Sequence, residues 1–162
     1  MIMIDSDVFI LDNFYPHDPR YEKNNLFLHR VQTKKNCTTI FNVLEVCSLI
    51  APHCSDEELL EFFEHFDRTY NLEIVYPQTY DLSTEYFMDH FFGEVLRNSQ
   101  ATGNVSDSLV FTLVKQRGLN VVVSWQAKQY KQRLGRLGRI EFLQPDEYIK
   151  IYQSLDRKTS ES

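Results

Sequence analysis

The chain reads as a three-layer α/β/α fold around a central, mostly parallel sheet. Two observations carry that reading. Short apolar stretches rich in β-branched residues alternate with amphipathic stretches at helical spacing. The segments between the strand-like stretches are also long enough for helical crossovers, which parallel strands require. A third observation bounds the size. The 162 residues are 43% hydrophobic and 25% charged, an ordinary composition for one domain with a real core. Residues 1–153 are read as that domain, and 154–162 ("SLDRKTSES") as a polar tail.

The elements follow in order. Residues 2–4 ("IMI") form a short buried strand. "DSDVFILDNFY" opens a short helix with Asp5 or Ser6 near its start. "YPHDPRYEKNNLFLHRVQ" is a loop with two prolines, then a helix with apolar Tyr21, Leu28 and Val31. "CTTIFNVLEVCSLIA" reads as one strongly apolar helix ended by Pro52. "SDEELLEFFEHFDRTYN" is the clearest helix. Ser55 and Glu58 form a capping box, and Leu59, Phe62, Phe63, Phe66 and Tyr70 supply an apolar face. "LEIVY" is a strand stopped by Pro77. "STEYFMDHFFGEVLRN" is a capped helix, and "SDSLVFTLVKQRG" another with a glycine stop. "LNVVVSW" and "RIEFL" are strands, and "PDEYIKIYQ" is a final helix with Pro145 in its first turn.

Several function classes lose support. No apolar run approaches the roughly 18–20 residues of a membrane span, and the N-terminus lacks the pattern of a signal peptide. Cys37, Cys47 and Cys54 fit no metal-ligand spacing and read as reduced thiols of a cytoplasmic protein. No glycine-rich phosphate loop is present. The five histidines suggest no Ser-His-Asp arrangement. The net charge of -6 argues against a general nucleic-acid binder, but its distribution is uneven. From Ser108 to Ile140 there is no acid, while Lys115, Arg117, Lys128, Lys131, Arg133, Arg136 and Arg139 all fall there.

Three carboxylates stand out. Asp5 lies where the first strand should end, the position at which open α/β sheets bind ligands. It could equally be a helix N-cap. Glu45 is the only charge between Cys37 and Asp56, and it shares a narrow face with Thr38, Asn42 and Ser48. A carboxylate enclosed by core must be ion-paired, protonated or bound to a cation. Asp107 opens a helix, where an N-cap role competes with a ligand role. Converging acids would repel one another unless a divalent cation neutralised them, and oxygen-only donors suit Mg²⁺ or Mn²⁺.

At these residues the sequence resembles the PIN-domain nucleases, the family that includes the VapC-type toxins. The matching pieces are "IMIDSDVFI", "NVLEV", "NVSDSLVFTLVKQRGLNVVVSW" and "FLQPDEYI", in the family's order and at similar spacing. The resemblance implies a parallel sheet flanked by helices and metal-dependent hydrolysis of RNA phosphodiester bonds, leaving 5′-phosphate and 3′-hydroxyl ends. Asp5, Glu45 and Asp107 match the family's acids and are carried over as catalytic ligands of Mg²⁺ or Mn²⁺. The fourth position departs from the pattern. Ser124 matches a hydroxyl position, but Gln126 stands where an acid or Asn is usual, which puts a second ion in doubt. Asp7 is a further variation, read as a helix start or as a supporting charge, and Asn42 is a supporting polar residue.

The basic interval has two readings. One is a solvated helix face plus a charged loop. The other is a surface on which Lys128, Lys131, Arg133 and Arg136 follow an RNA backbone, with Trp125 and Tyr130 stacking on bases and Gly135 and Gly138 keeping the loop adaptable. The leading expectation is a metal-dependent endoribonuclease whose partners are RNA, an antitoxin protein and a second copy of the chain. The alternative is a non-catalytic PIN-like module that binds RNA or a protein partner.

Overall fold

The computed structural model describes residues 1–79, 82–134 and 140–151. The strands are β1 (Ile2–Ile4), β2 (Asn36–Thr39), β3 (Glu73–Val75), β4 (Val121–Val123) and β5 (Glu141–Leu143). They form one parallel sheet in the order β3-β2-β1-β4-β5. The chain builds outward from β1 to β3 on one side, then crosses to place β4 and β5 on the other. That reversal creates a crevice at the carboxyl ends of β1 and β4.

The helices are α1 (Ser6–Phe14), α2 (Tyr21–Val31), α3 (Ile40–Ile50), α4 (Asp56–Tyr70), α5 (Thr84–Thr102), α6 (Val105–Gln116) and α7 (Ala127–Leu134), with residues 145–151 also helical. Strand alternation sorts them into two layers. Ile2, Ile4, Val123 and Leu143 face one core, with Phe9 of α1, Phe27 of α2, Val43 and Val46 of α3 and Phe66 of α4. Met3, Val122 and Phe142 face the other, with Phe91 of α5, Phe111 of α6 and Tyr130 of α7. The three-layer α/β/α expectation is met.

Local signals explain most boundaries. The Ser55–Glu58 capping box is formed, and Asn71 ends α4 in the left-handed conformation. Gly118, with φ +65°, follows α6 as the expected stop. Pro52 lies in a single 3-10 turn, Ala51–His53, directly after α3. Cys37 is buried in β2, and burial pushes its thiol up to about 12, so it packs as an inert small hydrophobe.

Two expectations are corrected. Residues 36–39 are a strand rather than the start of an apolar helix. Thr39 is both the last residue of β2 and the N-cap of α3, accepting from the Asn42 amide at 3.1 Å. With no turn residue between strand and helix, the boundary has no compositional mark. The expected basic loop after β4 begins instead as α7. Ala127, Tyr130 and Leu134 are its buried residues, at i, i+3 and i+7, and that apolar stripe holds the basic helix to the sheet. The expected loop around Gly135 and Gly138, with Arg136 and Arg139, lies outside the described residues, as does the tail.

Candidate active site

The site is built at the carboxyl ends of β1 and β4. Asp5 follows β1, and its amide donates to the Val123 carbonyl at 3.0 Å, fixing its backbone to the sheet. It occupies the N-cap position of α1, yet its side chain makes no capping hydrogen bond. The carboxylate is 4% exposed and turns toward other groups. Tyr130 Oη donates to Asp5 Oδ2 at 3.2 Å and to Asp107 Oδ1 at 3.1 Å. One phenol thus lies between two carboxylates that are far apart in sequence.

Asp107 is not the N-cap of α6. Asn104 is, accepting from the Asp107 amide at 2.7 Å. The Asn104 side-chain amide in turn donates to Asp107 Oδ2 at 2.7 Å, and Arg133 Nη1 lies 3.8 Å from the same oxygen. Capping by Asn104 leaves Asp107 Oδ1 directed at Tyr130.

Asp7 belongs to this group. It lies in the first turn of α1, as a helix-start reading requires, but its side chain reaches β4. Ser124 Oγ donates to Asp7 Oδ2 at 2.8 Å, and the Gln126 amide donates to it at 3.1 Å. Asp7 Oδ1 is buried with no hydrogen-bond partner among the described residues. Burial first, then the Asp7 charge and to a smaller extent Glu45, hold the Asp5 carboxyl well above the usual range. Burial also raises Asp7 to about 6, against the opposing hydrogen bonds from Ser124, Trp125 and Gln126.

Glu45 requires a correction. It is exposed rather than enclosed by core, because the outer face of α3 also exposes Leu44, Ser48 and Leu49. Apolar composition did not mean burial on every side. Its carboxylate still points to the site, accepting from Ser6 Oγ at 2.8 Å. Ser48 only bonds back to the Glu45 carbonyl. Asn42 is fully buried, and its amide donates to the Ile4 carbonyl at 3.3 Å and to Thr38 Oγ1 at 3.1 Å. Thr38 Oγ1 donates to the same carbonyl at 2.7 Å, so both brace the end of β1 just before Asp5.

The basic residues divide. Lys128, Lys131 and Arg133 are exposed on α7. Lys131 lies 3.8 Å from Glu147, and Arg133 faces Asp107. Tyr130 is 5% exposed, packed edge-on against Phe111 with ring centroids 5.2 Å apart, so its expected role as a stacking platform is corrected. Its place on the buried stripe of α7 turns the ring inward. Trp125 is half-buried, with Nε1 donating to Asn24 Oδ1 at 2.8 Å and the Arg20 guanidinium 5.6 Å from its ring centroid. A cavity of about 160 Å³ lies between Asp7, Tyr15, Arg20, Trp125 and Gln126.

The donor chemistry is all oxygen, and the orphaned, buried Asp7 Oδ1 is an acceptor without a donor; both fit a hard divalent cation. As arranged, no three His, Cys, Asp or Glu side chains among the described residues are grouped closely enough to hold an ion.

No family model and no curated protein matches the chain. Solved structures do. FitAcB from Neisseria gonorrhoeae is 13% identical, with a TM-score of 0.54 over 90% of this chain and 98% of that one. VapBC2 from Rickettsia felis, bound to a DNA fragment from its promoter, is 13% identical with a TM-score of 0.54, covering 89% and 98%. FitAB bound to an IR36 DNA fragment is 12% identical, with a TM-score of 0.52 over 90% and 95%. At such identities the likeness is one of fold. Together with the sheet order and the crevice at β1 and β4, it gives the chain a PIN-like fold, as the resemblance in its sequence implied.

Proposed function

We propose that the chain is a Mg²⁺- or Mn²⁺-dependent endoribonuclease. The observation that supports this most is the Tyr130 hydroxyl between the Asp5 and Asp107 carboxylates at the sheet's switch crevice, with Asp5 and the neighbouring Asp7 both held above their usual range. A site that keeps carboxylates close despite that cost is suited to a positive ligand. Asp5, Glu45 and Asp107 would hold the ion, with Asp7 at its edge. When bound, the ion would supply charge neutralisation and Lewis acidity toward a phosphoryl oxygen.

The chain's own residues do the rest. Ser124 and the Gln126 amide fix the Asp7 carboxylate. Asn42 and Thr38 hold the strand end that carries Asp5. Lys128, Lys131 and Arg133, with Arg136, would follow the RNA backbone, while the Trp125 and Tyr15 walls of the cavity offer apolar surface to an unpaired base. An antitoxin and a second copy of the chain are further proposed partners, motivated by the likeness of fold to VapBC2 and FitAB, both solved on DNA. A neighbouring gene for a small DNA-binding protein that co-purifies with this chain would support the first.

The test is cleavage of single-stranded RNA in Mn²⁺. Asp5→Asn keeps the side-chain shape and removes the charge, so it should abolish cleavage while the protein stays folded. Cleavage that survives both this substitution and EDTA would locate the activity elsewhere. A second reading, a non-catalytic module binding RNA or a protein, is favoured by Gln126 at the fourth position and by the Tyr130 hydroxyl between two of the acids. RNA binding without cleavage in Mn²⁺ or Mg²⁺ would select it.

A further inference from the structure

We propose that the Tyr130 hydroxyl is an internal occupant of the cation site, and that a divalent ion binds only by displacing it from between Asp5 and Asp107. This rests on the reading of the acids as a metal site. It does not depend on what that site cleaves.

The geometry carries the proposal. A phenol has one proton to donate, yet Tyr130 Oη lies 3.2 Å from Asp5 Oδ2 and 3.1 Å from Asp107 Oδ1. Both contacts are longer than a good O–H···O bond of about 2.7–2.8 Å, as expected when one proton is shared between two acceptors. The hydroxyl therefore sits where a cation bridging the two carboxylates would sit. Oxygen ligands lie at about 2.0–2.1 Å from Mg²⁺, so each carboxylate would close in by roughly 1 Å once the phenol left.

The ring is held in place by packing. Tyr130 is buried, with its ring edge-on to Phe111 and 5.7 Å from Phe142. A second group on α7 acts in the same sense, since Arg133 Nη1 lies 3.8 Å from Asp107 Oδ2. The helix thus brings a proton donor and a positive charge to the same acid. Metal binding becomes a competition in which α7 must yield.

Removing the hydroxyl should favour the ion. Tyr130→Phe lacks the two hydrogen bonds that must break as the ring moves aside for the ion, so we expect it to bind Mn²⁺ about tenfold more tightly than the wild type by calorimetry. Its melting temperature without metal should fall, and the rise on adding Mn²⁺ should exceed that of the wild type. Asp5→Asn serves as the control that loses binding. Unchanged or weaker affinity in Tyr130→Phe would overturn the proposal, as would the lack of Mn²⁺ binding by both proteins. If Tyr130→Phe fails to fold, 3-fluorotyrosine placed at position 130 gives a second readout. Its ¹⁹F resonance should move with Mg²⁺ in step with the calorimetric saturation, and a resonance unmoved at saturation would sink the idea. None of these measurements uses RNA. Tighter Mn²⁺ binding in a protein that cleaves nothing would refute the nuclease reading and leave this proposal standing.

Discussion

Ser124 Oγ donates to Asp7 Oδ2 at 2.8 Å, joining the end of β4 to the first turn of α1 across 117 positions of sequence. The bond holds Asp7 beside Asp5, where neither carboxylate is comfortable without a positive partner. Asp7 is raised from its ordinary value of 3.8 to about 6, with burial as the largest cause. Folding therefore favours its neutral form. Its contribution is fully present below the unfolded value and is lost as pH rises through about 6. Asp5 is shifted in the same direction. In EDTA, the protein should be less stable at pH 7.5 than at pH 5. Asp7→Asn should be the more stable protein above pH 6, by on the order of 1–3 kcal/mol, and should converge on the wild type near pH 4. Urea unfolding across that range measures it. A gap that widens as pH falls would contradict the sign of the argument.

How much of this was legible beforehand depends on where each signal lies. Asp5 could be singled out at the end of β1, where a polar residue breaks an apolar pattern, and Asp107 by its place in the first turn of an apolar helix. Asp7 could not be assigned, because its partner Ser124 is fixed only by the pairing of β1 with β4. Glu45 reads as a charge within the core and is instead exposed, since Leu44 and Leu49 look buried in sequence and are exposed on α3. The missing strand β2 runs into α3 through Thr39 with no turn between them. Helix α7 did leave a signal. The Ala127, Tyr130, Leu134 spacing was readable, but the surrounding charges and the nearby glycines favoured a loop. Its misreading also hid the inward direction of Tyr130.

Asn42 is expected to matter for stability more than its polarity suggests. It is fully buried and donates to the Ile4 carbonyl and Thr38 Oγ1. Asn42→Ala would remove both bonds, leave a small void and loosen the strand end preceding Asp5. A loss of about 1–3 kcal/mol in urea unfolding is expected. A loss within about 0.5 kcal/mol, the range of an ordinary surface change, would show that the brace is dispensable.

Lys128 and Arg133 lie exposed on the helix that also carries Tyr130. Replacing both with alanine removes two charges that would release counterions from an RNA backbone. Affinity for single-stranded RNA should fall, and the slope of log K against log salt should flatten by about 0.7 per lost phosphate contact. The measurement is a salt titration of binding in EDTA, so that cleavage does not interfere. Equal affinity with an equal slope would remove α7 from the RNA surface.

Gln126 tests whether the departure at the fourth position limits the site. The residue directly precedes α7, is exposed, and its backbone N–H already donates to Asp7 Oδ2 at 3.1 Å. Aspartate is a preferred residue ahead of a helix, so Gln126→Asp is compatible with the backbone there. It would add a negative charge close to Asp7, whose Oδ1 has no hydrogen-bond partner among the described residues. Without metal the added repulsion should lower stability above pH 6, where Asp7 is ionised. With Mn²⁺ the same charge becomes an attraction. Affinity should rise several-fold, or a second binding event should appear in the calorimetric isotherm, because a carboxylate is a stronger ligand for a hard cation than an amide. The two effects have opposite signs and one origin, so they must appear together. A variant that loses metal-free stability yet binds Mn²⁺ no better would mean that the side chain at 126 points away from the ion, and that the missing acid does not limit the site.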